Sequence, residues 1–301
     1  MLNISQGYYS TGEASSAASF LESLVRNMDL TICCACGNEV DSGEGEDGTR
    51  VSILSGGDNV LGVGAVKWVG GSDPYNAMPT LYRYYEYGSA IESVNKPDIC
   101  ASGYGIGVTY ANSYYVVPEA SGTSFSTPIV SRIVAQLMQK NAYLIGRQSL
   151  VKALLSAGAK YKGRTDYETT NNKCYSLYEG TGVVDAYCSY SVLNQSRYAT
   201  KTISQSEMGE NYTKQITVSS SDKVIRVALS WLKKTNRSNF DLKVYKGNVC
   251  VAKSIHTSSE RVQNLRAVEF IPSNYGYGTY TIKVIYQDIQ NSTESFSLAW
   301  Y

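Results

Sequence analysis

The sequence predicts an α/β region, a parallel sheet with flanking helices, followed by an all-β sandwich or jelly roll. Two observations carry that prediction. Up to about residue 190, short apolar runs alternate with helical patterns, and beyond it the apolar period drops to two. Strands that alternate with helices favour a parallel sheet covered on its faces, whereas strict alternation marks strands with one face in a core. The expected division is residues 1–190 and 191–301.

In the first region, the stretch ASSAASFLESLVRNM carries Ala18, Leu21, Leu24 and Val25 at helical spacing. LTICCACG then reads as a buried strand stopped by Gly37, and VSILS and NVLGVGAVKW are further strand candidates. TPIVSRIVAQLMQKN places Ile129, Val130, Ile133, Val134, Leu137 and Met138 on a broad apolar face, as a helix buried on one side does. QSLVKALLSAGAKY is a second such helix, with a stop at Gly158. In the second region, Ile225, Val227, Leu229 and Trp231 point one way, and Arg226, Ala228 and Ser230 the other. NFDLKVY, TYTIKVIY and SFSLAWY repeat the alternation, separated by Gly, Asn and Ser turns, as in a β-sandwich module.

Bulk composition excludes several classes. With 43% hydrophobic and 18% charged residues, the chain is globular. Lys+Arg is 27 against Asp+Glu 26, so no net field points to nucleic acid or an anionic membrane. No apolar run is long enough to span a bilayer, and MLNISQGYYSTG has neither part of a signal peptide. Five N-x-S/T sequons stand at Asn3, Asn194, Asn211, Asn236 and Asn291, which matter only in a glycosylating secretory context. Seven cysteines include no C-x-x-C pair, so zinc ribbons and thioredoxin-type sites are not expected. Cys33, Cys34 and Cys36 read as small core residues, and pairing of Cys174 with Cys188 stays open. Tyrosine is abundant at 26, which suits sheet faces and also carbohydrate or peptide contact.

The run SGTSFSTPIV puts Ser124 where a helix begins. Its N–H is then free of an intrahelical partner, and the helix dipole favours a developing negative charge. Pro128, four residues on, cannot donate to the Ser124 carbonyl and should loosen the helix there. Such a serine is ordinarily a cap, and a nucleophilic serine also needs a base and an oxyanion hole.

Six stretches in order shift that reading. GTSFSTP at 122–128, CACGNE at 34–39, KPDICASG at 96–103, NISQG at 3–7, VLGVGAV at 60–66 and GTGVVDAY at 180–187 together resemble the subtilisin-like serine proteases, or subtilases. The resemblance covers about residues 1–190, and the β region more loosely resembles the jelly roll that follows the catalytic domain in some bacterial members. It implies a serine endopeptidase acting on polypeptides, with Ser124 as nucleophile and Asn38 donating to the oxyanion beside the Ser124 N–H. It implies that Ser5 and Gly7 lend backbone groups to an extended substrate, and that Ala35, Cys36 and Gly37 line the pocket for the residue before the cleaved bond. Cys36 stands where alanine is usual and Ser102 where proline is usual, the first narrowing the pocket slightly.

The same resemblance exposes a gap. In subtilases the order along the chain is Asp, His, Ser. Both partners precede the substrate-pairing strand, which here starts at residue 3, and no D-[ST]-G or H-G-T-H segment occurs. The single histidine, His256, follows the serine and lies in the β region, and it also rules out a histidine-rich metal site. The expectation is therefore the C-terminal part of a longer protease, inactive alone, whose partner is the missing N-terminal half of the catalytic domain. Secretion or surface display is the family habit for such a parent. A non-catalytic peptide- or surface-binding pseudo-protease is the alternative.

Other readings are weaker. An α/β-hydrolase could set Asp185 or Asp241 beside His256, but Ser126 replaces the second glycine of G-x-S-x-G. No cofactor is expected. The acidic loop NEVDSGEGEDG, with Glu39, Asp41, Glu44, Glu46 and Asp47, reads first as solvated, with calcium as its alternative. Asp241 carries the same alternative. The glycine-rich runs LGVGAV and GYGIG match neither G-x-G-x-x-G nor a P-loop.

Overall fold

The computed structural model describes residues 1–7, 16–40, 49–50, 52–68, 79–81, 96–109, 116–160, 172–175, 179–233, 238–255, 264–288 and 293–301. The described residues fall into two compact units, Met1–Arg147 with Ser176–Val184, and Gln148–Tyr175 with Asp185–Tyr301.

The first unit contains β1 (Leu2–Ile4), α1 (Ser16–Asn27), β2 (Ile32–Ala35), β3 (Glu39–Val40), β4 (Thr49–Arg50), β5 (Leu61–Trp68), β6 (Pro79–Leu81), β7 (Ile99–Ser102), β8 (Ile106–Thr109), β9 (Val116–Ala120) and α2 (Thr123–Lys140). β1 pairs parallel with β2, β2 with β5, and β5 with β7, while β6 joins β5 antiparallel. β3 pairs with β4 and β8 with β9 as separate two-stranded sheets. Helix α2 packs across β1, β2, β5 and β7 through buried Val130, Ile133, Val134 and Leu137. Ile129 and Met138, expected on the same face, are only half-buried.

VSILS departs from expectation. Ile53–Ser55 forms a 3-10 turn in place of a strand. The Ser55 hydroxyl donates to the Ser52 carbonyl at 2.8 Å, a local bond that serine uses to compete with a sheet ladder. The Ser52 N–H is already taken by the Cys36 carbonyl at 2.6 Å.

The second unit contains α3 (Gln148–Gly158), α4 (Ala186–Asn194), β10 (Tyr198–Ser204), β11 (Asn211–Val218), β12 (Ile225–Trp231), β13 (Asn239–Lys246), β14 (Val249–Ser254), β15 (Leu265–Phe270), β16 (Gly278–Asp288) and β17 (Thr293–Trp300). Two antiparallel sheets, ordered β10-β17-β12-β15 and β11-β16-β13-β14, form a sandwich. Its core holds Trp231, Phe240, Tyr280 and Phe296 among branched aliphatic residues. Trp231 stacks edge-on against Phe240 at 5.1 Å, and its Nε1 donates to the Ser238 carbonyl at 3.0 Å.

In β12 both faces are buried, including Arg226, Ala228 and Ser230. The cause is α3, which lies on β12 and β17 and is itself buried along nearly its whole length. None of the seven cysteines, Cys174 and Cys188 included, is in a disulfide, and only Cys250 is exposed. Burial pushes the Cys34 thiol up to about 12 and raises Cys100 well above its ordinary value.

Candidate active site

The site is built where parallel strands end. β1 and β2 run in the same direction, so Ser5–Gly7 and Cys36–Asn38 leave the sheet at the same, carboxyl end. Open α/β sheets place ligand sites at that end. The N-terminus of α2 reaches the segment that follows β2.

Ser124 is the second residue of α2 and is half-buried. Gly122 caps the helix at φ 151°, a backbone region that side-chain-bearing residues rarely adopt. Its N–H donates to the Gly103 carbonyl at 2.7 Å, which anchors the helix start to the residue after β7. Gly103 itself has no room to grow: a Cβ there would lie 2.2 Å from Ser126 Oγ and 2.8 Å from the Gly122 carbonyl oxygen.

Asn38 is held by the residue before the serine. Its Oδ1 accepts from the Thr123 N–H at 2.9 Å and from the Thr123 hydroxyl at 2.8 Å. The same hydroxyl accepts from the Gly37 N–H at 3.0 Å, and the Gly37 carbonyl oxygen lies 3.1 Å from it. With the amide oxygen fixed, the amide nitrogen is turned toward Gly122, where a Cβ would come within 2.8 Å of Nδ2. The arrangement sets a side-chain amide N–H beside a helix N-terminus whose first N–H groups have no intrahelical acceptor. Two such donors can share a developing oxyanion.

Thr123, Ser126 and Gly103 drew no role from the sequence alone, although the hydroxyl-rich run T-S-F-S-T was the available signal. Ser126 Oγ donates to the Ala101 carbonyl at 3.1 Å, tying α2 to β7. Thr127 Oγ1 donates to the Thr123 carbonyl at 2.7 Å. Pro128 sits inside α2, which continues unbroken to Lys140.

The other expected site residues are placed as follows. Ala35 ends β2, and Ala35, Cys36 and Gly37 are all buried. Cys36 Sγ lies 3.2 Å from where a Gly62 Cβ would stand, beside the Lys96 side chain. Ser5 accepts from Asn3 Nδ2 at 2.9 Å, and the Ser131 hydroxyl of α2 donates to Asn3 Oδ1 at 2.7 Å. Gly7 is exposed. His256 and the acidic residues 41–47 lie outside the described residues. Asp185 accepts from the Cys188 N–H at 2.8 Å as the cap of α4 and pairs with Lys160 at 2.7 Å. Asp241 accepts from Gln287 Nε2 at 2.8 Å.

Behind the site, KPDICASG is locked by a buried ion pair. Lys96 Nζ lies 2.6 Å from Asp98 Oδ2 and donates to the Val60 carbonyl at 2.7 Å, and Asp98 Oδ2 also accepts from the Gly62 N–H at 2.7 Å. Burial works against the Lys96 charge, and the adjacent carboxylate more than offsets it, so its pKa is raised. The Asp98 carbonyl in turn accepts from the Thr181 hydroxyl at 2.9 Å. KPDICASG and GTGVVDAY, far apart in sequence, are thus stitched together.

A search of the curated proteins finds no match. Among solved structures, the chain is similar to the patellamide maturation protease PatA at 22% identity, over 64% of this chain and 63% of that one, with a TM-score of 0.43. It is similar to the prenylagaramide maturation protease PagA at 22% identity, over 63% of this chain and 61% of that one, with a TM-score of 0.45. A serine protease of Aeromonas sobria is similar over 99% of this chain and 71% of its own, at 14% identity and a TM-score of 0.44. The chain thus spans less than two thirds of the two maturation proteases. The sequence profile of the Subtilase family matches residues 2–182, and the chain belongs to that family.

Proposed function

We propose that this chain carries the nucleophile half of a subtilisin-type serine endopeptidase site, acting on polypeptides. The observation that carries the reading is the Thr123 clamp on Asn38 at the start of the Ser124 helix. In the proposed reaction the Ser124 hydroxyl attacks the scissile carbonyl, and the oxyanion is met by the Ser124 N–H and Asn38 Nδ2. The substrate runs extended along Ser5–Gly7, with its residue before the cleaved bond against Ala35, Cys36 and Gly37. Loss of one such side-chain donor in subtilisin costs roughly 2.7–4 kcal/mol of transition-state stabilisation.

The base is the open part of the site. One histidine is encoded, at position 256, and none precedes Ser124. A neutral serine hydroxyl without an imidazole is a poor nucleophile, and single losses from such a triad cost several orders of magnitude in rate. The aspartate and histidine are therefore proposed to come from residues outside these 301, the N-terminal half of the catalytic domain. The parent protein is proposed to be secreted or displayed at the cell surface. Among the described residues, no helix is long and apolar enough to cross a membrane. The single histidine also favours a second reading, a pseudo-protease that binds peptides without cutting them.

Complementation separates the two. The 301-residue chain alone should leave casein intact and react with a fluorophosphonate far more slowly than an intact serine protease. Mixed or co-expressed with a polypeptide bearing the D-[ST]-G and H-G-T-H segments, it should cleave casein, and Ser124→Ala should abolish the cleavage. Cleavage that survives Ser124→Ala, or that the chain performs alone, would overturn the assignment. A correctly assembled complex that binds peptide and never cleaves it would select the pseudo-protease.

A further inference from the structure

The outer face of the β11-β16-β13-β14 sheet carries a line of three lysines. Lys283 on β16 is directly opposite Lys243 on β13, which is directly opposite Lys253 on β14. Their neighbours along the strands, Ile282, Val284, Leu242, Val244 and Ala252, all point into the sandwich core, so the three lysines point out. Adjacent strands stand roughly 4.7–4.9 Å apart, which makes this a short, dense row of positive charge running across the strands. Among the described residues none of the three has a carboxylate partner. Lys283 Nζ lies 5.0 Å from the Tyr245 ring centroid. Like charges directly opposite on a sheet destabilise it, so the row works against the fold that carries it.

We propose that this row is the docking surface for an acidic polysaccharide, a glycan bearing sulfate or carboxylate groups. Charge complementarity supplies the attraction. The flanking side chains supply the rest: Thr213 stands beside Lys283 in the same row, and Thr281 pairs with both Gln215 and Tyr245 in the next. These are hydroxyl and amide groups suited to a hydroxyl-rich partner. A single-stranded nucleic acid is disfavoured because base stacking needs an open aromatic face, and the ring in this patch, Tyr245, has the Lys283 ammonium over it at 5.0 Å. A lipid surface is disfavoured because polybasic membrane patches use about four to eight cations, and this row has fewer. The surface is independent of the chemistry at Ser124.

The test uses the full 301-residue chain on immobilised heparin and alginate at low salt, beside single-stranded DNA and phosphatidylserine vesicles. Retention on at least one glycan is expected, weakening as salt rises. The triple variant Lys243→Gln, Lys253→Gln, Lys283→Gln should lose about tenfold or more in apparent affinity, since each ammonium removed deletes a counterion-releasing contact. Lys214→Gln is the control, because Lys214 stands on the edge strand β11 opposite core-facing Ile282 and lies over the Trp300 ring at 5.4 Å. Lys243→Gln alone removes both like-charge pairs and should raise the melting temperature at low salt while weakening glycan retention. Absence of retention, equal loss in the Lys214 control, or tighter binding to DNA or vesicles than to either glycan would overturn the proposal.

Discussion

The two units solve burial with different material. The parallel-sheet unit packs small side chains: Cys33, Cys34, Ala35, Val63, Ala65 and Ala101 are all buried in or beside its strands. Its geometry is then set by polar locks between main-chain segments, such as Asn38–Thr123, Gly122–Gly103 and Lys96–Asp98. The sandwich packs bulk, with four large aromatic side chains fully enclosed. Small residues let backbones approach closely enough to place atoms for chemistry, and each lock has few substitutes. Aromatic bulk contributes stability and places nothing in particular.

The sharpest contrast comes from removing bulk in the sandwich. Trp231→Ala should cost about 3–5 kcal/mol, the usual range for truncating a buried tryptophan. The Ser238 carbonyl also loses its Nε1 donor, which pushes the effect toward the upper end. Denaturant melts followed by far-UV circular dichroism would measure it. A loss under 1.5 kcal/mol would mean the aromatic core is not what holds this unit.

A lock in the other unit should respond differently, through charge and not volume. Asp98→Asn keeps the shape and leaves the Lys96 ammonium buried beside a neutral amide, a break that typically costs about 3–5 kcal/mol. The pH profile gives the signature. In the parent, the Lys96 pKa is raised, so the pair's contribution is complete below about pH 10.4 and is lost as pH rises through the folded value. In the variant, burial without a partner lowers that pKa, so the penalty is largest at neutral pH and shrinks on alkalinisation. A gap between parent and variant that stays constant up to pH 11 would rule out the ion-pair account.

The same contrast explains what could be read in advance. Alternation in TYTIKVIY is readable because one face meets the aromatic core and the other is half-exposed, whereas in NFDLKVY the outward Asn239 and Asp241 are buried too. The burial of Arg226, Ala228 and Ser230 was not readable, because α3, some 70 residues earlier in the chain, supplies the cover. β10, with the sequence YATKTIS, buries only Ile203 and gives little periodic signal. Around the candidate site, motifs point to Ser124 and Asn38, since both sit in recognisable stretches. Their clamp was invisible, because Thr123 meets Asn38 across 85 positions through hydrogen bonds that leave no hydrophobic period. VSILS departs from its pattern for a related reason: its apolar content suits a strand, and one serine-to-carbonyl bond turns it.

The smallest expected effect lies where α4 begins. Asp185 caps that helix through the Cys188 N–H and meets the Lys160 ammonium. Burial would raise its pKa, yet the Lys160 and Cys188 hydrogen bonds lower it overall. A lowered carboxylate pKa contributes stability above the ordinary aspartate value of about 3.9, and that contribution is lost as pH falls below it. Asp185→Ala removes cap and charge together and should cost about 1 kcal/mol at neutral pH. Asp185→Asn keeps a good cap and discards only the charge, so its cost should be a fraction of that and should vanish in acid. Urea melts of both variants at pH 7 and pH 3 would separate the terms. Equal losses for alanine and asparagine at pH 7 would show that the Lys160 pair, and not the capping bond, sets the start of this helix.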